Sequence, residues 1–134
     1  MTPDSADALR LKACIERYHV EHRHPDRPRP IMHAIHTMQS WEGKPESWAK
    51  GCYAIYSADG DILYIGKASN TKTVGDRIVR FRYKRSNWQP PPEFVQIIEV
   101  AEAFEAPSLE EFLIREMQPR FNDRGINRRI GPET

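Results

Sequence analysis

Apolar positions along this chain change their period twice. From residue 5 to 22, Ala8, Leu11, Ile15 and Tyr18 recur at helical spacing, and Ser5 is placed to cap the segment. The stretch after His22 cannot continue that helix, because Pro25, Pro28 and Pro30 remove donors and push their predecessors to extended geometry. A second helix is expected just after Pro30, with Ile31, Ile35 and Met38 on its buried side, until Gly43-Lys44-Pro45 breaks the pattern. From Gly51 the period drops to two. Cys52-Tyr53-Ala54-Ile55-Tyr56 and Ile62-Leu63-Tyr64-Ile65 predict two strands joined by a turn at Asp59-Gly60. Residues 73 to 84 return to helical spacing, with Val74, Ile78 and Phe81 inward and arginines outward. After a proline-rich loop from Asn87 to Pro92, the nearly continuous apolar run Phe94 to Val100 predicts a central strand. Pro107-Ser108 opens a last helix whose inner stripe is Leu109, Phe112, Leu113 and Met117, with Pro119 at or beyond its end.

These elements predict an α+β fold: a small three-stranded antiparallel sheet flanked by helices, with an N-terminal helical extension over residues 1–50, a core domain over 51–125 and a tail over 126–134. At 134 residues the chain has room for one modest core. Its mean hydropathy of −0.71 and lack of a long apolar run argue against a membrane span. Met1-Thr2-Pro3-Asp4-Ser5 has no leader pattern, and Cys14 and Cys52 are too few and too far apart for a disulfide framework. A cytoplasmic protein with two reduced thiols is the expectation.

A formal net charge of +1 hides a segregated distribution. Lys67, Lys72, Arg77, Arg80, Arg82, Lys84 and Arg85 face a single acid, Asp76, in their stretch; Glu93 to Glu111 holds six acids and no base. A basic block of this kind is a footprint for a polyanion, or else a solvated helix face. It follows directly on Tyr64-Ile65-Gly66. Gly51-Cys52-Tyr53, Tyr64-Ile65-Gly66-Lys67, the basic helix, and Leu109-Glu110, Leu113-Ile114, Pro119 and Asn122 together resemble the GIY-YIG nuclease domain over residues 51 to 122. The likeness is nearest to the incision domain of bacterial excision-repair nucleases. The two tyrosines and the Glu–Asn pair agree in spacing at once, which is far more specific than either tripeptide.

The resemblance implies a divalent-metal-dependent endonuclease acting on DNA, of undetermined strandedness and oligomeric state, with Mg²⁺ (or Mn²⁺) as cofactor. Tyr53 would be the base that takes a proton from water, and Tyr64 would orient that water or contact the phosphate. Tyr56 competes for the role of Tyr53, since Ala54-Ile55-Tyr56 also resembles the first motif. Glu110 would hold the metal, with Glu111 as the adjacent alternative. Arg77 would clamp the phosphate, with Arg80 as the competing register, and Lys67 and Asn122 would support them. Phe81 stands where many family members carry a His or Tyr, so either Tyr83, a candidate for substrate binding, substitutes or that auxiliary proton-transfer role is absent.

Outside that set, His33 and His36 at i,i+3 read as surface histidines rather than zinc ligands. Trp41, Trp48 and Trp88 could stack on unpaired bases, although packing is the plainer expectation for the first two. A non-catalytic nucleic-acid-binding module on the same fold is the alternative function.

Overall fold

The computed structural model describes residues 5–23, 26–68, 72–84 and 88–122. Helix α1, Ala6–His22, is capped as expected: the Ser5 hydroxyl accepts from Ala8 N. Its side chains Leu11, Cys14, Ile15 and Tyr18 are buried. Strand β1, Ile31–Thr37, comes next. The expected helix after Pro30 is therefore corrected to a strand, and Ile31, expected inside, is 52% exposed. The apolar spacing of three and four has a physical cause. A register shift in the pairing of β1 lies between Met32 and Ile35, and both of those side chains pack on the same core.

Strands β2, Gly51–Tyr56, and β3, Ile62–Ala68, form the predicted hairpin, with Gly60 at φ +90° in its turn. Helix α2, Val74–Lys84, leads to strand β4, Phe94–Glu99, and helix α3, Ala106–Met117, closes the described chain. The sheet has four strands rather than three, all antiparallel, in the order β1-β4-β2-β3. β4 is interior, as its continuous apolar run requires.

The sheet separates two cores. On one face α1 and α3 cover Cys52, Ala54, Tyr56, Ile65 and Ile98. On the other, α2 and the segment around Trp41 cover Tyr53, Ile55, Ala68, Val95 and Ile97. The first 50 residues thus supply a strand and a covering helix to the same sheet. Both cysteines are free and buried. Among the described residues, no helix is long and apolar enough to cross a membrane.

Candidate nuclease centre

Period two decides which aromatic groups meet. On β2, Tyr53 and Tyr56 point to opposite faces. Tyr56 lies in the α1–α3 core, where its hydroxyl donates to Gln96 Oε1 at 2.7 Å. Tyr53 lies on the α2 face, 4% exposed, directly across from Gly66 in the β2–β3 register. The glycine is needed there for space. A Cβ on Gly66 would lie 2.4 Å from both Cζ and Oη of Tyr53, so the phenol occupies the place of the missing side chain. Tyr64 stands on the same face, diagonal to Tyr53, with ring centroids 6.2 Å apart and planes at 41°. The two tyrosines singled out by sequence are therefore neighbours, and Tyr56 belongs to the other core.

The side chain of Arg77, on α2, supplies positive charge near this phenol. Arg77 Nε is buried without a hydrogen-bond partner among the described residues, a costly arrangement unless an acceptor arrives. Glu110 comes from α3 and is 7% exposed. Its Oε1 lies 3.8 Å from Lys67 Nζ, and Lys67 follows Gly66 on β3. Consecutive residues of one strand thus receive the phenol and oppose the carboxylate.

Electrostatics tie the parts together. Burial, then the neighbouring Tyr64 phenol, hold the Tyr53 hydroxyl well above the ordinary tyrosine range; Arg77 pulls it down, while Glu110 and Cys52 push it up. Burial also raises the Cys52 thiol, with Glu110 adding to the shift and Lys67 opposing it. Cys52 is fully buried and pairs with Lys67 in the ladder.

Asn122, expected to support the centre, bonds to the β3 backbone. It is buried, its Oδ1 accepts from Ile65 N at 2.9 Å, and its Nδ2 donates to Ile65 O at 2.9 Å. With Phe121 N donating to Leu63 O at 2.9 Å, the segment after α3 pairs with the outer edge of β3 at Leu63 and Ile65, on either side of Tyr64. Trp88, one of the rings the sequence offered for base stacking, lies 5.7 Å from Tyr64 and stacks on Phe121 at 4.1 Å and 22°. Its place inside the proline-rich loop gave no signal of that contact.

The side chains of Arg80, Phe81 and Tyr83 lie outside the described residues, as does the tail over 126–134. His33 and His36 sit on β1, not on a helix, and meet Glu99 Oε1 at 2.9 Å and Glu46 Oε2 at 2.7 Å. Trp41 is buried as expected. Trp48, expected to pack, is 76% exposed.

The buried Glu110 carboxylate is a hard oxygen donor suited to a divalent cation. Among the described residues no group of three or more His, Cys, Asp or Glu converges. Hard divalent ions of this kind retain waters and complete their shell with substrate phosphate, so one carboxylate suffices.

The chain matches the UvrC-like GIY-YIG domain family over residues 49–123. Two curated relatives are the UvrABC system protein C of Borrelia duttonii (strain Ly) and that of Borrelia recurrentis (strain A1). Each is 35% identical over 77 residues, which is 54% of this chain and 12% of the relative. The chain thus spans a small part of the length of the relatives it matches. No solved structure matches it significantly.

Proposed function

The chain belongs to the UvrC-like GIY-YIG domain family, and from that premise we propose that it is a divalent-metal-dependent endonuclease that hydrolyses DNA phosphodiester bonds. The observation that carries this reading is the buried Arg77 Nε beside the Tyr53 phenol, with the Glu110 carboxylate acting on the same phenol. That set offers a cation for phosphate oxygens, an acceptor for a proton and a hard ligand for a metal.

Glu110 would hold Mg²⁺ or Mn²⁺, which when bound supplies Lewis-acid stabilisation of the scissile phosphate and the leaving oxygen. Arg77 binds non-bridging oxygens, where a guanidinium placed in advance stabilises the charge that develops. Lys67 neutralises Glu110 in the free protein and turns to the phosphate when the carboxylate is engaged. Tyr53, as the phenolate that Arg77 and a bound cation would favour, takes the proton of the attacking water, and Tyr64 orients that water. Asn122 fixes β3 between those groups, so it acts on the reaction as a positioning residue.

Burial favours a second assignment of the base. A phenol that burial holds protonated is a weak acceptor, whereas Tyr64 is half-exposed on the same face and reaches water more readily. In that reading Tyr53 donates a hydrogen bond and Tyr64 takes the proton.

The testing experiment is cleavage of supercoiled plasmid and single-stranded DNA with Mg²⁺, Mn²⁺ or EDTA, with Glu110→Gln alongside. Cutting should require the metal and fall about 10³-fold in the variant, with DNA binding retained. Binding without cutting under any metal would replace the enzyme by a nucleic-acid-binding module. Of Tyr53→Phe and Tyr64→Phe, the one that abolishes the rise of rate with pH identifies the base.

A further inference from the structure

We propose that the open groove beside the first turn of α2, with Trp48 as its platform, holds an unpaired nucleobase of the strand being cut. The inference rests on the nuclease reading above and names the substrate feature that this site would select. The Trp48 indole, 76% exposed, is the most exposed large apolar side chain among the described residues, and it lines a groove. The backbone that carries Trp48 is also pinned. It ends the 3₁₀ turn Pro45–Trp48, in which Ser47 N and Oγ both donate to the Lys44 carbonyl, at 3.0 and 2.8 Å. The next residue is tied down too, as Val74 N donates to Ala49 O at 2.9 Å. Helix α2 rests directly on the turn, since a Cβ at Gly75 would lie 2.7 Å from the Ser47 carbonyl oxygen. An aromatic face with only two side-chain torsions on a pinned backbone loses little entropy when a flat ring settles on it.

The groove has a volume of about 240 Å³. Trp41, Trp48 and Val79 give it apolar walls, and Glu42, Thr73 and Asp76 bring oxygen atoms to it. Those carboxylates repel phosphate, so the pocket suits a base rather than the backbone. Oxygen acceptors favour bases with an exocyclic amine, which cytosine and adenine carry and thymine lacks. Positive charge sits just outside. Lys50 Nζ donates to the Lys72 carbonyl at 2.7 Å, which places an ammonium beside the start of α2, next to the groove-lining Thr73.

The groove adjoins the nuclease centre through α2 itself. Asp76 lines the groove, and the next residue, Arg77, is the phosphate clamp of the proposed reaction. A strand with one phosphate on Arg77 therefore has a nearby nucleotide in reach of Trp48. Paired bases cannot present their faces to an indole, so the groove is useful only where the strand is unpaired, as at a flap, a bubble or a free end.

The test measures affinity of the full chain in EDTA, which separates binding from cutting. Fluorescently labelled oligo-dC, oligo-dT and a blunt duplex are titrated with the wild type, Trp48→Ala and Trp48→Phe. Loss of one stacking platform should weaken oligo-dC binding by about 5- to 150-fold, with duplex affinity unchanged and most of the loss restored by phenylalanine. Wild type should also bind oligo-dC more tightly than oligo-dT. Equal affinity of wild type and Trp48→Ala for oligo-dC, or an equal loss on oligo and duplex, overturns the proposal and returns the groove to another occupant such as a protein partner. Equal binding of oligo-dC and oligo-dT overturns the role of the acceptors. If plasmid cutting with Mg²⁺ persists while these binding results fail, only the groove is refuted. If wild type neither cuts nor binds DNA, the nuclease reading fails with it.

Discussion

Three residues apart on β2, Tyr53 and Tyr56 show how differently the two faces of the sheet are used. Both are buried, and burial pushes both hydroxyls up from their ordinary value. Tyr56 is finished: its proton goes to Gln96 Oε1, and Gln96 Nε2 in turn donates to the His33 carbonyl at 3.0 Å. That chain of bonds ties β2 to β4 and β1 inside an apolar core. Tyr53 has instead a glycine across the ladder, a second phenol, an arginine and a carboxylate as its neighbours. A buried tyrosine with a neutral partner stabilises the fold, whereas one amid opposing charges has chemistry left to do.

The sharpest way to break this contrast is to remove each hydroxyl. Tyr53→Phe is expected to lower kcat by about 10²–10⁴-fold and leave thermal stability nearly unchanged. Tyr56→Phe should do the reverse, costing about 1–3 kcal/mol through the abandoned Gln96 acceptor with kcat intact. Single-turnover cleavage and thermal melts on the two proteins decide it. Equal kinetic losses would mean that the faces are not functionally distinct. Gly66→Ala should combine both effects, because the new methyl displaces the Tyr53 ring: about 1–3 kcal/mol of overpacking together with the catalytic loss of Tyr53→Phe.

The centre was easier to read in the sequence than the frame around it. Tyr53, Tyr64 and Glu110 sit on strongly periodic elements, and the hairpin, β4 and α3 follow from alternation, apolar continuity and the Leu109–Leu113–Met117 stripe. β1 did not follow. It is an edge strand, half-exposed along its length, and its register shift spaces Met32 and Ile35 three residues apart. Locally that spacing cannot be told from a helix, because what makes it a strand is pairing with β4, about sixty residues later. Asn122 was legible as a supporting residue, but its partner was not. An amide after Pro119 carries no local sign that it will take both polar groups of Ile65. Trp48 was misjudged for the opposite reason, since composition favours burying an indole and only the packed turn leaves it outside.

Asn122 gives a smaller, graded test of the same comparison. Asn122→Ala removes two hydrogen bonds from β3 and should cost about 1–3 kcal/mol. The loosened β3 edge carries Tyr64 and Gly66 but no part of the Tyr56–Gln96 bond. Cleavage should therefore fall by about tenfold through kcat, with KM little changed, and the Tyr56 face should keep its amide protection in hydrogen exchange. If KM rises instead with kcat constant, Asn122 contacts the substrate and the clamp is incidental.

The smallest effect is on titration, and it needs no substrate. Burial raises the folded-state pKa of both Tyr53 and Tyr56 above the unfolded value near 10. Their contribution to stability is then fully present below about pH 10 and is lost as pH rises through the folded values, because only the unfolded chain releases those protons easily. Alkaline melts should become less steeply pH-dependent in either Tyr→Phe variant. The two differ in what else moves them. Arg77 pulls the Tyr53 hydroxyl down and does not act on Tyr56, whose other influence is the carboxylate of Asp7. Arg77→Gln should therefore push the phenolate absorbance step of Tyr53 further up the pH axis and leave that of Tyr56 in place, with each step assigned by the matching Phe variant. If both steps shift together, Arg77 acts on the fold as a whole; if neither does, its charge does not reach the phenol and the proposed clamp has lost its electrostatic link to the proton acceptor.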